Sequence, residues 1–236
     1  MAEPSPQDRS DSLSVPWVDT VRFIRQLSHD LRNHLNAIEL QSAYISELEE
    51  DSKLKSEVNR LREMISRMTS ILQKVSGGVG EVKPNLISYR ASDFVEDLRK
   101  KIAQEFPNET HEINWNVQSG DAVLNIDPQL LQEAIIELFA NAFRHDRGKG
   151  AIAAEARIDK DRFLFTLREP KIRFESSTEN WGREPLRKVS QGHYGLGLNR
   201  VRAIAEAHGG EIHAQYGPKA STLVTALILP LSRGKA

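Results

Sequence analysis

The sequence of 236 residues contains no cysteine, which excludes a disulfide framework, a thiol nucleophile and a cysteine-based metal site. This absence agrees with a reducing cytoplasm. The sequence also has almost no excess charge: 32 Lys and Arg against 33 Asp and Glu give a net charge of −1. No overall electrostatic attraction to nucleic acid or to an anionic membrane follows from that balance. We therefore expect a cytoplasmic protein whose partners are neither nucleic acids nor membranes.

Long apolar runs are also missing. No stretch approaches the roughly 20 apolar residues that are needed to span a bilayer. Residues 1–16 are polar, contain three prolines and lack the apolar centre of a signal peptide, so we expect a flexible tail. Because no separate sensory domain fits into the remaining length, we expect any signal to arrive through an upstream sensory partner.

Two stretches carry the apolar repeat of packed helices. In residues 17–48 an apolar side chain recurs at every seventh position, and in residues 54–75 apolar side chains alternate in steps of four and three. A polar turn at 49–52 separates them, which predicts a helical hairpin over 17–76. Such a hairpin has too little core of its own, so we expect a homodimer that forms a four-helix bundle. The seventh-position residues are Trp17, Ile24, Leu31, Ile38 and Ile45.

Glycines at 77, 78 and 80 favour a linker over 77–84, since each Gly costs about 1 kcal/mol relative to Ala inside a helix. From 85 to 236 the pattern alternates between strands and helices, with one helix opened by Asp127 and Pro128. The fold class is therefore α+β, a helical hairpin followed by an α/β sandwich. The predicted strands are 86–89, 112–117, 122–126, 151–158, 163–167, 211–216 and 222–230, and the predicted helices are 92–105, 127–144 and 198–208.

Three segments, in this order along the chain, resemble the signature boxes of two-component sensor histidine kinases. Residues 28–33 resemble the H box, residues 137–145 the N box, and residues 192–198 the second glycine box. The resemblance covers about residues 20–232. It implies a dimerisation and phospho-acceptor hairpin followed by a Bergerat-type ATPase domain. It also implies ATP and Mg²⁺ as cofactors and the receiver domain of a response regulator as the partner.

His29 is the predicted phospho-acceptor. In the heptad count it takes an outward position, and Asn33, four residues later, lies on the same helix face. Asp30 can hold the imidazole tautomer and accept its proton, which makes the other ring nitrogen the nucleophile. The resemblance implies that Asn33 aligns a water for removal of phosphate from a regulator. The alternative is an ordinary exposed histidine on a coiled coil, and the neighbouring His34 falls on the predicted seam.

The resemblance assigns the nucleotide contacts to residues of the second domain. It implies that Asn141 ligates Mg²⁺, that Glu137 assists as a base, and that Arg144 and His145 contact phosphate. Amide oxygens suit Mg²⁺ and guanidinium suits phosphate. Gly195, Leu196 and Gly197 precede a helix, where backbone amides can approach a phosphate. Lys188 and His193 are assigned to a lid, with a solvated loop as the alternative.

One box departs from the family pattern. Where the family has Asp-x-Gly-x-Gly for adenine, this chain has Glu169-Pro170-Lys171-Ile172-Arg173, so Glu169 is the candidate base contact and both glycines are absent. Three functions stay open. The first is a kinase that phosphorylates His29 from ATP and passes the phosphate to a regulator aspartate. The second is a pseudokinase acting as a phosphotransferase or a regulator phosphatase, and the third is a binding scaffold without chemistry.

Overall fold

The computed structural model divides the chain into two compact units, residues 1–80 and residues 81–236, and each is considered by itself. No helix among the described residues is both long and apolar enough to cross a bilayer. The structure describes residues 16–48, 51–144, 147–172, 174, 178–179, 181–183 and 195–232.

The first unit is a hairpin of two helices, α1 (Trp17–Leu48) and α2 (Ser52–Gly78). Asp51 caps α2, because its carboxylate accepts the backbone N–H of Lys53 at 2.7 Å. The side chains of α1 that become buried are again seven residues apart, as are those of α2. They are Ser28, Leu35 and Ser42 on α1, and Val58 and Ile65 on α2.

The hairpin contact uses only part of the predicted apolar stripes, whose residues Leu35, Val58 and Ile65 are buried. Leu31, Ile38 and Ile45, the seventh-position residues of α1, are exposed in the single chain, as are Leu61 and Met68 of α2. His34 was predicted to pack on the seam, but it is exposed in the single chain. Each helix therefore keeps an apolar stripe that the other helix of the hairpin does not cover.

The second helix is longer than the sequence predicts. It continues through Gly77 to Gly78, and Val79 caps it with an N–H that donates to the carbonyl of Val75 at 3.3 Å. The linker predicted to start at residue 77 thus loses its first two residues to α2. A glycine in a last helical turn costs only the local propensity, because no following turn depends on it.

The second unit contains three helices and a five-stranded sheet in the order β2-β4-β5-β7-β6, with β2 and β4 parallel and the other pairs antiparallel. A separate two-stranded sheet pairs β1 with β3. The predicted helical hairpin followed by an α/β sandwich is confirmed. The elements are β1 (Ile87–Arg90), α3 (Ala91–Glu105), a 3₁₀ turn (Thr110–Glu112), β2 (Ile113–Gln118), β3 (Val123–Ile126), α4 (Pro128–Arg144), β4 (Ile152–Asp159), β5 (Arg162–Pro170), α5 (Gly197–Ala207), β6 (Glu211–Gly217) and β7 (Thr222–Pro230).

One face of the large sheet is buried against α3, α4 and α5 in a single core. Burial alternates along β4 and β7, as expected for a sheet with one covered face. The central strand, β5, extends three residues beyond the predicted end at Leu167. Glu169 pairs with Leu223 and Pro170 with Thr222, so both residues lie in the ladder rather than in a loop. The non-local partner strand decides this, since the local sequence there favours a turn.

The start of α4 is fixed by a network around Asp127. One carboxylate oxygen accepts the N–H groups of Gln129 and Leu130, each at 3.1 Å, and the other accepts the N–H of Asn85 at 2.9 Å. The backbone N–H of Asp127 itself donates to Nε2 of the buried His208, at 3.0 Å. His208 Nδ1 donates to the carbonyl of Ile204 at 2.7 Å, so this ring joins the end of α5 to the start of α4.

Candidate functional site

His29 lies on the outer face of α1, with 65% of its side chain exposed. Three polar side chains lie near it on the same helix. Asp30 is its direct neighbour, Gln26 lies one turn before Asp30, and Asn33 lies one turn after His29. Nδ1 of His29 is 3.2 Å from Oδ1 of Asp30. The structure thus brings together the three residues that the sequence assigned to the phospho-acceptor region.

The carboxylate of Asp30 stays ionised and aimed at the imidazole. Gln26 Nε2 donates to its Oδ1 at 2.9 Å, and this bond together with the His29 contact holds the pKa of Asp30 below its ordinary value. An ionised acceptor at Nδ1 favours the tautomer in which Nδ1 carries the proton. We therefore assign the proton to Nδ1, which leaves Nε2 as the nitrogen with an available lone pair.

Asn33 approaches the same ring nitrogen from the next turn. Its Nδ2 is 3.4 Å from Nδ1 of His29, which is longer than the Asp30 contact. Because Nδ1 donates to the ionised Asp30, Asn33 does not act as the main partner of the ring in this tautomer. Its amide is exposed and faces the solvent beside the imidazole.

In the second unit, α4 presents Glu137 and Asn141 on one face. Asn141 Nδ2 donates to Oε1 of Glu137 at 3.3 Å. The same carboxylate packs against Gly197 at the first turn of α5, where a Cβ atom would overlap Oε1. The structure thereby brings together three predicted site residues from two distant segments, and it explains why residue 197 is a glycine.

The loop before α5 places the other glycine. Gly195 has a φ of +63°, a left-handed conformation that glycine adopts without strain, and Leu196 behind it is buried. The first backbone N–H groups of α5 have no helical acceptor, and such amides suit an anion. Arg144 is exposed in the last turn of α4. The predicted contacts His145, Lys188 and His193 lie outside the described residues.

Glu169 lies at the end of the central strand and is already paired within the chain. The ammonium Nζ of Lys171 is 2.7 Å from its Oε2, and the two side chains are 6% and 4% exposed. Burial raises the pKa of Glu169 above its ordinary value, although the ammonium of Lys171 acts in the opposite direction. The carboxylate predicted to contact the base thus has an internal cationic partner.

Comparisons with known proteins agree with this arrangement. The family described as histidine kinase-, DNA gyrase B- and HSP90-like ATPase matches residues 126–233. A sensor-like histidine kinase of Rhizobium meliloti (strain 1021) is 22% identical over 91% of this chain and 44% of its own length. The sensor histidine kinase HprS of Escherichia coli (strain K12) is 28% identical over 83% of this chain and 44% of its own length. The chain is thus similar to sensor histidine kinases over most of its length.

The solved structures extend the likeness to the fold of both units. Full-length ShkA, solved in complex with AMPPNP, superposes with a TM-score of 0.68 over 91% of this chain and 47% of that one, at 21% identity. The chain spans less than half of the length of the two curated kinases named above.

The residues of the second unit fit ATP and Mg²⁺ only in part. Glu137, Asn141 and the glycines before α5 suit the metal and phosphate end, since an amide oxygen is a Mg²⁺ ligand and the amides of a helix start suit phosphate. The base end does not fit, because the carboxylate of Glu169 is buried and paired with Lys171.

Three features of the site were not predicted from the sequence. Gln26, the donor that fixes Asp30, lies four residues before it, and that helical spacing is the signal that would have found it. The close approach of Glu137 to Gly197 depends on the packing of α4 against α5, which no local pattern encodes. The burial of Lys171 depends on the extension of β5, and the sequence around Pro170 argues against it.

Proposed function

We propose that this protein carries phosphate in a two-component pathway and that His29 exchanges it with an aspartate of a response-regulator receiver domain. The observation that carries the proposal is the fixed imidazole of His29, with Nδ1 held by Asp30 at 3.2 Å and the ring exposed on an outward helix face. An accessible nitrogen nucleophile with an oriented base partner is what transfer to histidine requires.

The step follows from the tautomer. Nε2 of His29 attacks the phosphorus of the aspartyl phosphate, the N–P bond forms, the O–P bond breaks, and the aspartate carboxylate leaves. The proton stays on Nδ1, so the ring becomes a phosphorylated imidazolium. The ionised carboxylate of Asp30 stabilises that positive charge, and Gln26 keeps the carboxylate in place. Transfer in the opposite direction uses the same contacts.

A second candidate is hydrolysis of the regulator phosphate, favoured by the position of Asn33. Its exposed amide lies beside the imidazole without being its main partner, so it is free to orient a water. This reaction ends with free phosphate rather than with phosphate on His29. An Asn33→Ala variant that accepts phosphate at His29 but no longer hydrolyses the phosphate on the regulator separates the two activities.

A third candidate is the predicted histidine kinase, which phosphorylates His29 from ATP. The names of the relatives and the cluster of Glu137, Asn141 and Gly197 favour it. The ion pair of Glu169 with Lys171 argues against this candidate, because the carboxylate predicted to contact the base is already paired. Transfer to a receiver domain is common to the kinase and to the phosphotransferase, so His29 has the same role in both.

We further propose that the protein acts as a homodimer through the hairpin. Large apolar side chains stay exposed along the uncovered stripes of α1 and α2 in the single chain, and a second copy would cover them as a four-helix bundle. Ile38→Glu is expected to give a monomer in light scattering at micromolar concentration, because it places a charge in that stripe. Asn36→Glu, at an exposed polar position of the same helix, is expected to remain a dimer.

The experiment that tests transfer uses a receiver domain phosphorylated in advance. Wild-type protein is expected to acquire acid-labile phosphate that mass spectrometry maps to His29. The His29→Gln variant is expected to acquire none, while His34→Gln, five residues along the same helix, is expected to behave as wild type. Equal labelling of wild type and His29→Gln contradicts the assignment.

A further inference from the structure

The core-facing side of β5 ends with a buried carboxylate, that of Glu169. Alternate residues of the strand, Phe163, Phe165 and Leu167, are fully buried, and Glu169 continues the same side with its carboxylate also buried. A carboxylate in such a place requires donors, because burial without a partner disfavours its ionised form. The donor available within the described residues is the ammonium of Lys171.

The backbone holds Lys171 where it is. Its N–H donates to the carbonyl of Ser221 at 2.8 Å, and it forms an isolated antiparallel bridge with Arg147. Directly before it, the carbonyl of Pro170 accepts the N–H of Gly148 at 2.9 Å. A Cβ at Gly148 would come within 3.1 Å of the backbone nitrogen of Lys171, so the two segments touch. Lys171 is thus part of the folded sheet end and not of a solvated loop.

We propose that Lys171 takes, from within the chain, the place that the base of a nucleotide would need at Glu169, so that the ATPase-like domain of this protein recognises no adenine. A neutral amino group of a ligand would have to displace a full positive charge that is tethered two residues away. The displaced ammonium would also have to leave a site in which it is 4% exposed. Both requirements favour the internal pair over the ligand.

The inference goes beyond transfer through His29 and does not depend on it. If adenine is not recognised, the phosphate on His29 comes from a phosphorylated receiver domain. If the inference fails, transfer to and from His29 still stands, because the two sites lie in different units.

The first test measures binding to the full-length wild-type protein by titration calorimetry with three probes: adenosine, ATP with Mg²⁺, and inorganic tripolyphosphate. The expected result is no binding of adenosine at millimolar concentration. Any heat from ATP is expected to be abolished by tripolyphosphate, since only the phosphate end offers contacts. Binding of adenosine, or competition of adenosine with ATP, overturns the proposal.

The second test measures the accessibility of the Lys171 amine in the buried pair, by acetylation and mass spectrometry. Lys171 is expected to stay unmodified with or without ATP, whereas Lys83 is expected to react readily. Lys83 is a matched control, because it pairs with Glu81 at the same spacing of two residues but with side chains that are 79% and 67% exposed. Acetylation of Lys171 at the rate of Lys83, or a change in its acetylation with ATP, overturns the proposal.

A variant sharpens the second test. Glu169→Gln removes the carboxylate that holds the ammonium of Lys171 at 2.7 Å, so the lysine side chain is expected to leave the buried site and become accessible to the reagent. Acetylation of Lys171 is expected to increase toward the level of Lys83. Glu81→Gln is expected to leave the acetylation of Lys83 unchanged. If Glu169→Gln does not fold, the wild-type measurements alone decide the proposal.

Discussion

Replacing Lys171 by Met tests the energetics of the buried pair. Methionine keeps an unbranched apolar chain of similar length but removes the ammonium that lies 2.7 Å from Glu169. Breaking one side of a buried pair costs about 3–5 kcal/mol, because the remaining charge is left uncompensated. At about 2–4 °C per kcal/mol for a unit of this size, the midpoint of thermal unfolding is expected to fall by roughly 6–20 °C at neutral pH.

The pH dependence of this loss identifies its cause. Burial holds the pKa of Glu169 above its ordinary value, and the ammonium of Lys171 is the group that lowers it. Without that ammonium the pKa rises further, so the folded variant takes up a proton at higher pH than the unfolded chain does. The stability of the variant relative to wild type is therefore expected to recover as the pH falls from about 8 to about 5.

Calorimetry of four proteins checks the expectation. Lys83→Met, which breaks the exposed pair with Glu81, is expected to change the unfolding free energy by no more than about 1 kcal/mol. The double variant Glu169→Gln with Lys171→Met carries no buried charge and is expected to recover most of the loss. A Lys171→Met midpoint within one or two degrees of wild type, or a loss that is the same at every pH, refutes the reasoning.

Two further predictions concern the contacts that position α4 and α5. Gly197→Ala places a Cβ on the carboxylate of Glu137 and is expected to destabilise the protein by about 1–3 kcal/mol in denaturant unfolding, whereas Gly77→Ala, with open space in α2, is expected to be neutral or slightly stabilising. His208→Ala leaves the backbone N–H of Asp127 without its acceptor and is expected to cost about 1–3 kcal/mol, while His213→Ala, at an exposed position, is expected to change little. A Gly197→Ala or His208→Ala protein as stable as its control contradicts the corresponding contact.

The succession of elements is readable from the sequence because most of it is local. The helix that begins after Asp127 has its cap, its proline and its apolar face within one short segment, and the structure starts and ends it at the expected residues. The outward position of His29 follows from the heptad count for the same reason. Periodicity and capping are properties of neighbouring residues, so no tertiary information is required.

The features that the sequence does not predict depend on contacts with residues distant along the chain. Pro170 and Glu169 look like turn residues, yet β7 supplies Thr222 and Leu223 and draws them into the ladder. The burial of Lys171 follows from that extension. On the hairpin, the side chains that pack α1 against α2 include Ser28 and Ser42, which no apolar pattern selects. Packing between elements, rather than propensity within them, decides these positions.

The source of the phosphate on His29 is the most direct test of this account. The wild-type protein is incubated either with radiolabelled ATP and Mg²⁺ alone or with a receiver domain that carries labelled phosphate. Labelling of His29 from the receiver domain, with none from ATP alone, is the predicted result. Labelling of His29 from ATP alone, or no labelling from any phosphorylated receiver domain, contradicts it.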